Sequence, residues 1–165
     1  MSLDVPLRKT VSASRRHGLT TTPIYGALEG ASQTFKKGAP LVFNSSGYLI
    51  EASNPVATNE AIVGFATSDG NNGSAGAYGA HYIPALSNMI FEGVLEDATN
   101  FSHALLQANL GQAYPLAKDT VSGAWFLDEN GVGDACAVII ELVDAVSTVI
   151  GRVRFIVLPS RTLYN

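Results

Sequence analysis

The chain has 165 residues, of which 47% are hydrophobic and only 15% are charged. No apolar run approaches the roughly 20 residues of a membrane-spanning helix. The first ten residues lack the apolar stretch of a signal peptide, which argues against export by that route. Soluble domains typically carry about 25% charged residues. We therefore expect part of this surface to be buried in an oligomer or a larger assembly.

Charge is distributed unevenly along the chain, whose net charge is −4. Residues 1–37 contain six basic and two acidic residues, a net charge of +4, whereas residues 38–165 contain four basic and twelve acidic residues, a net charge of −8. A basic segment on an acidic body favours an acidic partner surface for the segment. The acidic body argues against a nucleic-acid partner.

Residues 1–34 are predicted to form an extended arm. Prolines, glycines and a polar run leave no sustained helical or strand period in this segment. It nevertheless contains more apolar residues than a purely disordered tail, so we expect a strap that becomes ordered against a neighbour. The candidate partner-binding residues are Leu3, Val5, Leu7, Arg8, Lys9, Arg15, Arg16, Leu19, Ile24 and Tyr25.

Residues 35–165 are predicted to form a single β-rich body. Short apolar stretches alternate with turn residues every 8–12 residues, a spacing typical of a β-sandwich or barrel. The proline in residues 113–117 indicates an edge strand, and residues 67–79 form a Gly/Ser/Asn-rich loop. One short helix is expected within residues 97–109, capped by Asn100. The predicted strands, in chain order, are 40–43, 48–51, 61–66, 80–85, 88–95, 113–117, 124–128, 135–143 and 151–158.

Residues that often carry chemistry form no recognisable site. His17, His81 and His103 lie far apart and lack ligand spacing, so no metal site is expected. There is no nucleophile elbow or phosphate loop, and Glu92 and Glu96 are interpreted as a solvated strand face. Cys136, the single cysteine, is predicted to be buried. The sequence thus indicates no catalytic or cofactor-binding residues.

Arg152 and Arg154 share one face of the last predicted strand. The preferred interpretation is a solvated sheet face. The alternative is an intersubunit surface that pairs with the acidic body of a neighbouring copy.

Two stretches of the chain carry a resemblance to a known class. FKKGAPLVFNSSGYLIEA at residues 35–52 is followed by AIVGFAT at 61–67 and a glycine-rich loop, and later come GQAYPL, GAWFLD, VIIEL and GRVRF, within residues 111–155. These strings resemble capsid decoration (cement) proteins of tailed bacteriophages. The resemblance implies a mainly β fold, a small β-barrel or sandwich (β-tulip-like) body with an extended N-terminal arm and at most one or two short helices.

The resemblance also implies a function. Such a protein is made in the host cytoplasm and binds the major capsid protein on the outer surface of the virion. It is a homotrimer at local three-fold positions, and its arms clamp neighbouring capsomers. One alternative is a tail or fibre module that binds carbohydrate through Trp125, Tyr114 and Tyr78, although we expect Trp125 in the core or an interface. A small hydrolase or isomerase is a third hypothesis, for which no acid–base pair stands out.

Overall fold

The computed structural model describes residues 11–16, 22–99, 101–131 and 134–164, with the side chains of 12–16 excluded. These residues form twelve β-strands in two sheets, two 3-10 turns and no α-helix. No helix in this part of the chain has the length and hydropathy to cross a membrane. The strands are β1 Ser12–Arg16, β2 Tyr25–Leu28, β3 Pro40–Phe43, β4 Leu49–Glu51, β5 Gly64–Ala66, β6 Gly79–Pro84, β7 Met89–Glu96, β8 Ala113–Tyr114, β9 Leu116–Lys118, β10 Trp125–Asp128, β11 Ala137–Leu142 and β12 Arg152–Val157, and the 3-10 turns are Gln107–Asn109 and Pro159–Arg161.

The larger sheet is a nearly closed six-stranded barrel, in the order β8-β11-β12-β7-β10-β9, to which β1 adds by pairing with β7. Its two end strands, β8 and β9, lie on either side of Pro115. Cys136 N donates to Tyr114 O on one side and Asp128 N donates to Pro115 O on the other. The chain around the proline therefore bridges the two ends of the sheet. The predicted edge position of this segment is confirmed, because a proline has no N–H to give to a central strand.

The smaller sheet has the order β2-β6-β5-β3-β4. The β3–β4 hairpin follows from its turn sequence, because the side chain of Asn44 accepts the N–H groups of Ser46 and Tyr48 and Gly47 adopts a φ of 79°. That left-handed conformation favours glycine. Beyond β2, Gly30 N donates to Leu49 O, so the far end of this strand approaches β4.

One hydrophobic core joins the two sheets. Phe65 of the smaller sheet packs against Phe91 and Phe155 of the barrel, with ring centroids 4.5 and 6.0 Å away. All three side chains are at most 1% exposed. Alternation along β12 explains this placement, since Val153, Phe155 and Val157 face inwards. The mainly β, barrel-like fold predicted from the sequence is confirmed.

The helix predicted within residues 97–109 is wrong. Only the 3-10 turn Gln107–Asn109 forms there, and Asn100 lies outside the described residues. Side chains supply the hydrogen bonds that a helix would have made. The Asn109 carboxamide accepts Leu106 N at 2.7 Å, and the Glu96 carboxylate accepts His103 N at 3.1 Å.

Two parts of the predicted extended arm, residues 1–34, form strands of the sheets. β1 pairs with β7 and β2 pairs with β6, both antiparallel. Each of these partners lies more than 50 residues away along the chain. Pairing over such a distance supplies backbone hydrogen bonds that the local sequence pattern does not record.

Candidate interaction surface

The outer side of β2 faces away from β6 and meets β4 only at its end. Thr67 N donates to His81 O, so the main chain of His81 faces β5 and not β2. Gly26 lies opposite His81, and Leu28 opposite Gly79. By the alternation of an antiparallel ladder, the N–H and C=O groups of Gly26 and Leu28 point away from β6. The parallel bridge between Glu29 and Leu49, with Gly30 N donating to Leu49 O, joins the Leu28 end of this edge to β4, whereas Gly26 lies two residues before that end.

Large apolar side chains flank this edge. Ile24 is 61%, Tyr25 43% and Leu28 52% exposed. The Tyr25 ring is fixed by edge-on contacts with Tyr82 and Tyr164, at centroid distances of 6.1 and 6.0 Å. Exposed but rigid aromatic groups are typical anchors of protein interfaces. We name the segment Ile24–Leu28 the β2 edge.

The tyrosines beneath the β2 edge are themselves held by a hydrogen bond. The hydroxyl groups of Tyr82 and Tyr164 lie 2.8 Å apart. Burial, and then the bond to Tyr164, raise the pKa of Tyr82 well above its ordinary value. The Tyr82 hydroxyl is therefore uncharged at physiological pH, and the hydrogen-bonded pair supports the Tyr25 ring.

A cleft of about 280 Å³ opens beside the β2 edge. Ile24, Val11, Phe65 and Ile83 contribute its apolar lining, and Lys37 lies at the same cleft. A partner segment bound here would contact the β2 strand and place an apolar side chain in this cleft.

The edges of β9 and β4 carry covering contacts. The Asn54 carboxamide accepts Lys118 N at 2.8 Å and donates to Lys118 O at 3.0 Å, so one side chain occupies the edge of β9 like a short strand. Val56 N donates to Leu116 O on the same edge. At β4, the Gln33 carboxamide accepts Glu51 N at 2.9 Å. Covering of this kind prevents unwanted strand pairing.

A second apolar surface lies on the barrel. Leu105 N donates to Thr148 O and Gly111 N donates to Ile139 O, which brings three chain segments side by side. These segments carry exposed apolar side chains, 38% to 53% exposed: Leu106, Leu110, Ile140, Val146 and Val149.

Arg152 and Arg154 are paired within the chain. Arg152 Nη2 lies 2.6 Å from Asp144 Oδ1, and Arg154 Nη1 lies 2.8 Å from Glu141 Oε1, while Glu92 lies between both arginines at 3.5 and 3.7 Å. These hydrogen bonds raise the pKa of both guanidinium groups. The face is thus a partly exposed ion-pair network of one chain. A further role between subunits stays a prediction.

The interpretation of Glu96 as part of a solvated strand face is wrong, whereas Glu92 is partly exposed on the ion-pair face. Glu96 is fully buried, and its Oε1 accepts the N–H groups of Asp97 and His103. His103 Nδ1 lies 3.6 Å from Glu129 Oε2. These contacts organise the loop after β7. No group of three His, Cys, Asp or Glu side chains in the described residues has an arrangement that could hold a metal ion.

Two residues with possible chemistry are enclosed in the core. Cys136 is buried as predicted, and burial raises the pKa of its thiol to about 11. Trp125 is 2% exposed and donates from Nε1 to Glu51 Oε1 at 2.9 Å. The core position expected for Trp125 is confirmed, so this side chain offers no surface to a carbohydrate.

The predicted partner-binding residues have different outcomes. Ile24 and Tyr25 lie together on the β2 edge. The sequence analysis did not include Leu28. This residue ends the uncharged stretch 23–28, which also contains Ile24 and Tyr25. Arg15 and Arg16 lie in β1, where only the backbone is described. The remaining candidates lie outside the described residues: Leu3, Val5, Leu7, Arg8, Lys9 and Leu19.

No family model matches the chain, and no curated protein matches it either.

Proposed function

We propose that the chain is a structural virion protein that binds the outer surface of a tailed-phage capsid. It acts as a trimer at local three-fold positions, contacts the major capsid protein and stabilises the shell by clamping neighbouring capsomers. The proposal assigns it no catalytic role and no cofactor. The observation that carries it is the β2 edge, an apolar and uncharged strand edge within the same segment of the sequence that concentrates the basic residues.

Two physical features support this proposal. The β2 edge offers main-chain groups and exposed apolar side chains, which are what a surface-bound protein needs for a lasting contact. The net charge of +4 in residues 1–37 attracts an acidic shell and accelerates encounter. The carbohydrate-binding alternative loses its main aromatic residue, because Trp125 is buried.

Cosedimentation with empty capsids tests the proposal. The double variant R8E/K9E reverses two basic charges in the first ten residues, and R8K/K9R keeps both charges at the same positions. We expect R8E/K9E to weaken capsid binding by about tenfold or more, with the difference shrinking at high salt. R8K/K9R should bind much more nearly like the parent chain.

Two results would contradict the proposal: absence of cosedimentation by the parent chain, or equal loss of binding in both double variants. Circular dichroism of each variant shows whether the fold is kept. Deletion of residues 2–10 should also abolish cosedimentation; the deletion stops there because β1 begins at Ser12 and Val11 is buried.

A further inference from the structure

The second apolar surface, on the barrel, is built from three chain segments that main-chain contacts hold side by side. Ala104 forms an antiparallel bridge with Val149, and Ile139 exchanges hydrogen bonds with Gly111 and Gln112. Five apolar side chains of these segments are 38% to 53% exposed. We name this set the barrel patch: Leu106, Leu110, Ile140, Val146 and Val149.

The turn that carries the two valines of the barrel patch is fixed in a strained conformation. Ser147 and Ile150 adopt φ angles of 73° and 56°, a region that β-branched residues rarely occupy. Ser147 N donates to Leu105 O and Ile150 N donates to His103 O, which hold the turn in place. Strain of this kind persists only where the surrounding structure imposes it, and it is common at functional sites. The turn therefore presents its valines to solvent from a rigid backbone.

The segments of the barrel patch carry no charge, although residues 38–165 have a net charge of −8. Asp, Glu, Lys and Arg are absent from three stretches: 104–112, 137–140 and 145–151. Where copies of one chain meet through the same surface, each charge near the symmetry axis faces a like charge, which opposes association. An uncharged surface on an acidic body avoids this repulsion.

The acidic residues beside the barrel patch are neutralised within the chain. Glu141 Oε1 lies 2.8 Å from Arg154 Nη1, and Asp144 Oδ1 lies 2.6 Å from Arg152 Nη2. These two acids directly border the uncharged stretches. Their pairing removes the remaining repulsion between identical copies and leaves little to attract a charged partner.

We propose that the barrel patch packs against the barrel patches of other copies of this chain around a symmetry axis. The inference rests on the proposed function and names the surface on which its trimer assembles. The five side chains expose on the order of 400 Å² of apolar area, and patches of this size on a monomer are often functional. A stable interface buries about 800 Å² per partner, with an apolar centre and a polar rim. The exposed side chains of Gln107, Gln112 and Ser147 supply that rim.

Light scattering on the purified full chain gives the mass of the assembly. We expect a trimer for the parent chain. V149K and L106K each place a charge where identical surfaces meet, on two different segments, and should weaken association by about tenfold or more. V121K makes the same change at a side chain that is 74% exposed in the turn before β10 and should leave the trimer intact. Circular dichroism shows whether each variant keeps the fold.

Cysteine cross-linking tests whether the barrel patch faces itself. Ala108 is exposed between Leu106 and Leu110, and Cys136, the single cysteine, is buried. With copper–phenanthroline as the oxidant, A108C should form disulfide-linked pairs of chains. T120C, at an exposed position in the turn before β10, is the matched control and should not.

Three results would overturn the inference: a monomeric parent chain, a trimer that persists in both V149K and L106K, or equal cross-linking of A108C and T120C. Cosedimentation with capsids is scored separately. A parent chain that forms this trimer but does not bind capsids would overturn the proposed function and support the inference. Monomers that bind capsids would overturn the inference and leave capsid binding in place.

Discussion

The barrel and the five-stranded sheet share one core but treat their edges differently. In the barrel, the chain on either side of Pro115 pairs with both β10 and β11, and Asn54 covers what remains of β9. In the smaller sheet, the end of β2 meets β4 through the Glu29–Leu49 bridge and Gln33 covers β4, whereas Gly26 faces away from β6 beside exposed apolar side chains. The difference teaches where stability and binding lie in this fold. Covered edges and buried aromatic rings hold the body together, and the exposed apolar face of the β2 edge is available to a partner.

Removing the shared core should have the largest effect. F65A deletes the ring that packs against Phe91 and Phe155, so we expect it to lower the free energy of unfolding by about 3–5 kcal/mol. F43A makes the same change on β3, at a side chain that is 36% exposed. It should lower the free energy of unfolding much less than F65A does. Denaturant unfolding followed by Trp125 fluorescence and by circular dichroism measures both.

That experiment also tests whether the two sheets unfold together. Trp125 lies in the barrel, whereas circular dichroism reports on the whole chain. Because the core is common, the two transitions should coincide. Separate midpoints for the two signals would show that the sheets unfold independently. That result would contradict the shared core.

Opening a closed edge should have an intermediate effect. N54A removes both hydrogen bonds to the main chain of Lys118, so we expect a loss of about 1 kcal/mol of stability. It also exposes the β9 edge and should increase self-association at high concentration. N59A, an exposed asparagine in the same loop, is the matched control. If N54A associates no more than N59A, the side chain is not protecting an edge.

The smallest expected effect is on the pH dependence of folding stability. The pKa of Asp69 is lowered by the Lys37 N–H that its carboxylate accepts at 2.8 Å, and further by the Lys36 ammonium at 3.0 Å. A carboxyl group with a lowered folded-state pKa stabilises the protein above its unfolded pKa of about 3.9, and that contribution is lost as the pH falls through the folded value.

D69N therefore should be less stable than the parent chain at pH 7, and the difference should disappear in strong acid. Both side chains of the ion pair are more than half exposed, so we expect a difference of less than about 1 kcal/mol. Urea unfolding of the two proteins between pH 2 and pH 7 measures it. A difference that stays constant over that range would contradict the assignment.

The body strands were predictable because their signals are local. Turn residues such as Asn44 and Gly47, the alternation along β12, and the proline at position 115 all act within a few residues. β1 and β2 were not predictable, since their partners lie more than 50 residues away. The burial of Glu96 was missed for a similar reason, because His103 provides its compensating N–H only after the loop folds.

The candidate site was only partly predictable. The apolar character of Ile24 and Tyr25 in a basic segment suggested a partner surface. That Leu28 joins them, and that Gly26 faces away from β6, depends on the strand pairing of the whole chain. A sequence pattern identifies residues that favour strands, but it does not show which edge will lack a neighbour.

Amide hydrogen exchange of the free and the capsid-bound chain tests the central claim most directly. The amide of Gly26, which points away from β6, should become protected when the chain binds empty capsids. The amides of Lys118 and Glu51, which are bonded to the Asn54 and Gln33 side chains, should exchange equally in both states. If the exchange of Gly26 is the same in both states, the β2 edge is not the place where the capsid is contacted.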